Sequence, residues 1–155
     1  MPHGSTPISR FIDRLGHYFE TWGSTRSAGQ IFAFLLISEE PQSLDDIADA
    51  LQISKGSASL GTRVWEQAGL IERVSVPGDR KTYYHLHPEV TERLAAAAIS
   101  GYQQFVDILQ EADRHIGDDR PRAKARLAAF MGIYRHLIEN VPILLAEWSK
   151  QQAKE

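Results

Sequence analysis

The chain has 155 residues, 43% of them apolar and 24% charged, which fits one domain large enough to bury a core. Cysteine is absent, which excludes disulfides, thiol catalysis and thiolate metal sites and fits a reducing cytoplasm. The net charge of −3 is spread evenly: residues 1–42, 43–87 and 88–155 each sum to −1, so any nucleic-acid surface must be assembled locally.

No signal peptide is expected from the opening "MPHGSTPISRF", and the longest apolar run, Ile31–Ile37, is too short to span a membrane. A first helix is expected from about Ser5 to Trp22. Ile8, Phe11, Ile12, Leu15, Tyr18, Phe19 and Trp22 form its apolar stripe. "GSTRSAG" breaks that pattern. A second helix, about Arg26–Ser38, is apolar on nearly all sides and should be central, with Pro41 as its stop.

Ser43 opens a third helix as N-cap, with Asp46 placed to complete a capping box. Ile47, Ala48 and Leu51 face inward. After a short "QIS" turn, a fourth helix runs from about Lys55 to Ala68, and Gly69 ends it. Ala58, Thr62, Trp65 and Ala68 should point inward. Lys55, Gly56, Ser59, Leu60, Arg63 and Gln67 are left outside, small hydroxyls with one Lys and one Arg that suit a major groove. Two β-prone runs, Glu72–Val76 and Thr82–His87, then flank a tight Pro-Gly-Asp-Arg-Lys loop. A long helix follows from Pro88 to about Ile116. "GDDRP" is a linker, and a last helix starts near Pro121, with Pro142 expected to kink or interrupt it.

Two short helices, a tight turn and a hairpin are the order of a winged helix-turn-helix. "LDDIADALQISKGSASLGTRVWEQAGLIERVSVPGDRKTYY", residues 44–84, resembles the winged-helix region of the MarR superfamily, and most nearly its GbsR-like branch. The resemblance is strong over these residues; the flanking helices match in length and order. Two departures stand out. Gln52 occupies the turn position where such units usually carry Gly. Gly61 lies inside the fourth helix, which costs about 1 kcal/mol relative to Ala; it admits close approach either of DNA or of a neighbouring helix.

The resemblance implies a mainly α protein forming one domain, residues 1–155. Residues 23–87 would be the winged helix-turn-helix, with a small β-hairpin wing. Residues 1–22 and 88–155 would form N- and C-terminal dimerisation helices. It implies a homodimeric transcription regulator, more often a repressor, on a double-stranded DNA operator and modulated by a small molecule. The expected DNA contacts are Ser43, Ser54, Lys55, Gly56, Ser57, Ser59, Leu60 and Arg63, with Arg80 and Lys81 at the wing tip entering the minor groove or gripping its phosphates. Asp79 is expected to orient Arg80. Ser43 is foremost a cap, at a helix end that can also hold a phosphate.

Effectors known in the GbsR-like branch include choline and glycine betaine. Tyr18, Trp22, Tyr102 and Phe105 are accordingly candidates for an aromatic cage around a quaternary ammonium, against the simpler reading of core and interface side chains. His85 and His87 share a strand face, but no third ligand is near in sequence and no metal or other cofactor is expected. Four basic residues in "RPRAKAR", residues 120–126, read as a solvated helix start, a distant phosphate contact being the alternative. No carboxylate stands in a catalytic motif, so enzymatic activity is not expected. Two rival readings remain: a winged-helix module for protein contact without DNA, and a small-molecule sensor or enzyme whose wing is incidental.

Overall fold

A computed structural model describes residues 6–153. The expected helix start at Ser5 lies outside them. The chain divides into two compact units, Met1–Val90 and Thr91–Glu155.

The first unit begins with α1, Pro7–Thr21, capped by the Thr6 hydroxyl, which accepts from Ser9 N. Gly23, at φ +85°, turns the chain into α2, Arg26–Leu36, capped by Thr25. The two helices meet at paired glycines. A Cβ placed on Gly29 would lie 2.9 Å from the Gly16 Cα, so any side chain there would force the helices apart. α2 is the central helix, with Ala28, Ile31 and Ala33 fully buried. It ends at Leu36, short of Pro41, with Ile37 as its C-cap.

Next come β1 (Gln42–Ser43), α3 (Leu44–Leu51), α4 (Lys55–Gln67), β2 (Ile71–Ser75) and β3 (Thr82–Leu86). The three strands form one antiparallel sheet in the order β1-β3-β2. Ile71 pairs with Leu86 and Ser75 with Thr82, while Gln42 and Ser43 pair with Tyr84 and Tyr83. β2 and β3 fall within a residue of the expected runs. β1 makes the wing three-stranded, an arrangement the sequence leaves open beside a two-stranded one but cannot place, because two residues carry no periodicity.

Three aromatic rings join the helices of this unit. Phe19 of α1 lies 5.3 Å from Phe32 of α2 and 5.0 Å from Trp65 of α4, centroid to centroid, both edge-on, and Phe32 lies 5.2 Å from Trp65. The Trp65 indole N–H donates to the Ala28 carbonyl at 2.6 Å, which satisfies the one polar atom of that buried ring.

The second unit consists of α5, Val90–His115, and α6, Pro121–Gln152. α5 starts two residues after Pro88, and α6 continues through Pro142 without interruption. Among the described residues of this unit only Val106 and Met131 are buried, whereas Ile108, Phe130, Ile133, Ile143 and Leu144 are exposed. Among the described residues no helix is long and apolar enough to cross a membrane.

Candidate nucleic-acid interface

The interface is built from α3, the turn after it, α4 and the β2–β3 hairpin. Ser43 caps α3 as the sequence predicts. Its hydroxyl donates to Asp46 Oδ2 at 2.6 Å and accepts from Asp46 N at 3.2 Å, while its own backbone N–H donates to Asp46 Oδ2 at 2.9 Å. These bonds hold the Asp46 carboxyl below the usual carboxylate range, the Ser43 hydroxyl contributing most. Ser43 is only 2% exposed, so its hydroxyl serves the cap; a phosphate at this helix end would meet backbone N–H groups instead.

The turn between α3 and α4 depends on Gln52, which adopts φ 53°, ψ 43°, the left-handed conformation that favours glycine. Ile53 N donates to the Ala48 carbonyl at 3.0 Å and closes the turn. The position at which this chain departs from the usual Gly is therefore also the only non-glycine at positive φ among the described residues.

α4 begins at Ser54, whose hydroxyl accepts from Ser57 N at 3.1 Å and lies 3.0 Å from the Ser57 hydroxyl. Ala58, Gly61, Thr62 and Trp65 face the core. Gly61 packs against α2: a Cβ there would collide with Ile31 Cδ1 and lie 3.3 Å from the Ala28 Cα. The glycine therefore serves a helix crossing. Thr62 satisfies its buried hydroxyl by donating to the Ala58 carbonyl at 2.9 Å. Ala68 departs from expectation; it is the exposed C-cap residue, because the helical stripe has rotated off the core by its last turn. Lys55, Gly56, Leu60 and Arg63 are exposed, Leu60 at 64%, and Ser57 and Ser59 are half-buried. An exposed leucine among polar neighbours on this face offers an apolar contact of the kind a thymine methyl takes.

The wing tip is a tight turn. Asp79 N donates to the Val76 carbonyl at 3.0 Å, with Pro77 second and Gly78, at φ +85°, third, the arrangement of a type II turn. Asp79 then fixes the following residues. Its carboxylate accepts from Lys81 N at 2.9 Å and from the Tyr83 hydroxyl at 2.6 Å. The Tyr83 bond lowers the Asp79 pKa and raises that of the phenol. Asp79 thus shapes the tip through Tyr83 and the main chain of Lys81 and Arg80, the expected link to Arg80 running through its backbone N–H. Among the described residues no ion pair engages Arg80 or Arg63. At the wing's base, Glu66 of α4 accepts from Arg73 Nη2 at 2.9 Å, and the Arg73 guanidinium lies 5.9 Å from the Tyr84 ring centroid.

The start of α4 and the wing tip are brought together by a residue that sequence reasoning missed. Asp45, in the first turn of α3, places Oδ1 2.8 Å from Lys55 Nζ and Oδ2 3.9 Å from Lys81 Nζ. Lys55 therefore lies on the same surface as Lys81, although 26 positions separate them in sequence (81 − 55). The Lys55 bond lowers the Asp45 pKa and correspondingly raises that of Lys55.

The other candidate groups are placed as follows. His85 Nε2 lies 3.1 Å and His87 Nε2 3.7 Å from the two oxygens of Glu72 across the sheet. The His85 contact is within ion-pair range, but the nitrogen makes no aligned hydrogen bond. Among the described residues no cluster of three or more His, Asp or Glu is arranged to hold a metal ion. Tyr18 on α1 and Trp22, its C-cap residue, are neighbours, 6.2 Å between centroids and both exposed, Trp22 at 74%. In the second unit Tyr102 and Phe105 both pack edge-on against Tyr134, at 5.3 and 4.8 Å. In "RPRAKAR", Lys124 pairs with Asp118 at 2.6 Å.

Residues 22–82 match the model of the MarR family. The chain is 31% identical over 154 residues to the HTH-type transcriptional regulator MmpR5 of Mycobacterium tuberculosis (strain ATCC 25618 / H37Rv), covering 98% of this chain and 93% of that protein. A crystal structure of a transcriptional regulator superposes with a TM-score of 0.77 at 32% identity, over 94% of this chain and 99% of the other.

Proposed function

The chain belongs to the MarR family of winged-helix transcription regulators, and on that premise we propose that it acts as a homodimeric, ligand-modulated repressor reading a pseudo-palindromic operator. The observation that carries this reading is the meeting of Lys55 and Lys81 on one carboxylate, which supports a single reading surface made of the α4 N-terminus and the wing. On that surface Ser54, Lys55, Gly56, Ser57, Ser59, Leu60 and Arg63 face the major groove. Arg80 and Lys81 take the neighbouring minor groove or its phosphates. Ser43 contributes through the helix end that it caps. A locally basic surface reconciles phosphate binding with a chain of net charge −3.

The homodimer is supported by large apolar side chains exposed on α1, α5 and α6, Ile8, Ile108, Phe130, Ile133 and Leu144 among them. The "ISKGS" and "PGDRK" segments support a place in the GbsR-like branch. A quaternary ammonium effector rests on the GbsR-like resemblance, with the Tyr18–Trp22 pair of the first unit and, separately, the Tyr102, Phe105 and Tyr134 cluster of the second as candidate aromatic sites. A regulator of this kind works beside DNA in the cytoplasm, without catalysis.

Fluorescence anisotropy with the DNA upstream of the protein's own gene tests the reading, against a scrambled duplex and across a range of salt. Wild type should prefer the cognate duplex, weaken steeply with salt, and lose affinity in Arg80→Ala. Indifference of both proteins to both duplexes at low salt would instead favour a winged-helix module that contacts protein.

A further inference from the structure

Asp45 ties the first turn of α3 to Lys55 of α4 and Lys81 of the wing, and as an acid in that turn it favours the helix dipole. The capping of α3 is complete without it, because Ser43 and Asp46 satisfy each other. Asp45 instead faces a shallow hollow lined by Ser43, Leu44, Lys81, Thr82 and Tyr84, and reaches across to Lys55. Its two oxygens serve two ammonium groups from different elements, as one phosphate of a DNA strand would.

We propose that Asp45 is an internal substitute for a DNA phosphate, holding Lys55 and Lys81 in the DNA-free protein and lowering affinity for every duplex alike. The proposal rests on the DNA-binding reading above. The three side chains together carry one net positive charge; without Asp45 they would carry two. The Asp45–Lys55 pair is largely solvent-exposed, with the Lys55 side chain 75% accessible, so it is weak enough for a phosphate to displace. An exchange of this kind changes the strength of phosphate contact but carries no sequence information. Because it weakens the sequence-independent part of binding equally on every duplex, Asp45 sets the overall affinity and leaves the ratio between cognate and other DNA to groove contacts, among them those of Arg63 and Arg80.

The test compares wild type with Asp45→Asn, and with Asp45→Ser as a second neutral variant, by anisotropy on cognate and scrambled duplexes over a salt series. Circular dichroism melts accompany it to show that each protein is folded. Both variants should bind both duplexes about two- to fivefold more tightly, the range a weak exposed ion pair supports. The slope of log affinity against log salt should steepen by about one. In a Lys55→Met/Lys81→Met background, Asp45→Asn should have no effect. Equal or weaker binding by folded variants would overturn the proposal. So would a full gain that persists without the lysines, since Asp45 would then act by plain repulsion of DNA. If wild type binds no duplex at low salt, the DNA-binding reading fails and takes this proposal with it; if wild type binds and the variants do not improve, only the proposal fails.

Discussion

Gly61→Ala tests the assignment of that glycine to the α2–α4 crossing. The added methyl meets Ile31 Cδ1 and the Ala28 backbone, and Ile31 is fully buried with little room to turn. Overpacking of this kind costs about 1–3 kcal/mol, against about 1 kcal/mol gained because alanine favours helix over glycine. The net expectation is a loss of roughly 1 kcal/mol, read as a lower urea midpoint. The pairing can be made specific. Ile31→Val alone should cost about 0.5–1.5 kcal/mol, but in the Gly61→Ala background it removes the atom in collision and should cost nothing. A coupling of about 0.5–1.5 kcal/mol between the two sites is therefore expected. If Gly61→Ala raised stability and selectively abolished DNA binding, the glycine would serve the approach of DNA and the reasoning would be refuted.

Other substitutions probe neighbouring features. Gln52→Gly should relieve the left-handed turn and raise stability by about 0.5–1 kcal/mol, measured by thermal denaturation. The Asp46 pKa is depressed from 3.8 by Ser43, so its bonds contribute fully above that value and are lost as pH falls through the lower folded pKa; Asp46→Asn should be less stable than wild type at neutral pH, and the gap should close in acid. Tyr83→Phe removes the phenol that holds Asp79, and should weaken DNA binding a few-fold while leaving the melting temperature within about 1 °C, since exposed contacts add little stability. Unchanged affinity in that variant would show that the tip needs no such bracing.

What the sequence disclosed was local chemistry. Ser43 with Asp46, Pro77 with Gly78, and the stripe of Ala58, Thr62 and Trp65 each follow from spacings of a few residues, and each appears in the fold. Gln52 was visible as a departure, and the backbone shows its physical form. Long-range contacts were not legible. Gly61 is decided by Ile31, thirty positions earlier (61 − 31), and Asp45 by two lysines on other elements. "SLDD" reads as a cap whether or not its second acid has another partner. Asp79 was expected to orient its neighbour Arg80; its bond to Tyr83, which the hairpin returns to it, was not legible. Pro142 is a strong breaker on paper. Inside α6 it removes a single donor from a helix of 32 residues, and good helix formers on both sides, Leu137 and Glu139 before it and Leu144, Leu145 and Ala146 after it, sustain the element.

The middle position of β3 has a mechanical consequence. Ser43 pairs with Tyr83 in the sheet and caps α3 in the same step, while Tyr83 holds Asp79 at the tip. A continuous train of bonded groups therefore runs from the first turn of α3 to the end of the hairpin. The hairpin is geared to the helix, not hung from it, and the two will tilt as one piece. In a dimer of such pieces, a signal that disturbs DNA binding need not unfold or fold away either part. If two copies pair as proposed, a small change in the angle between them would be enough to put both reading surfaces out of step with successive grooves.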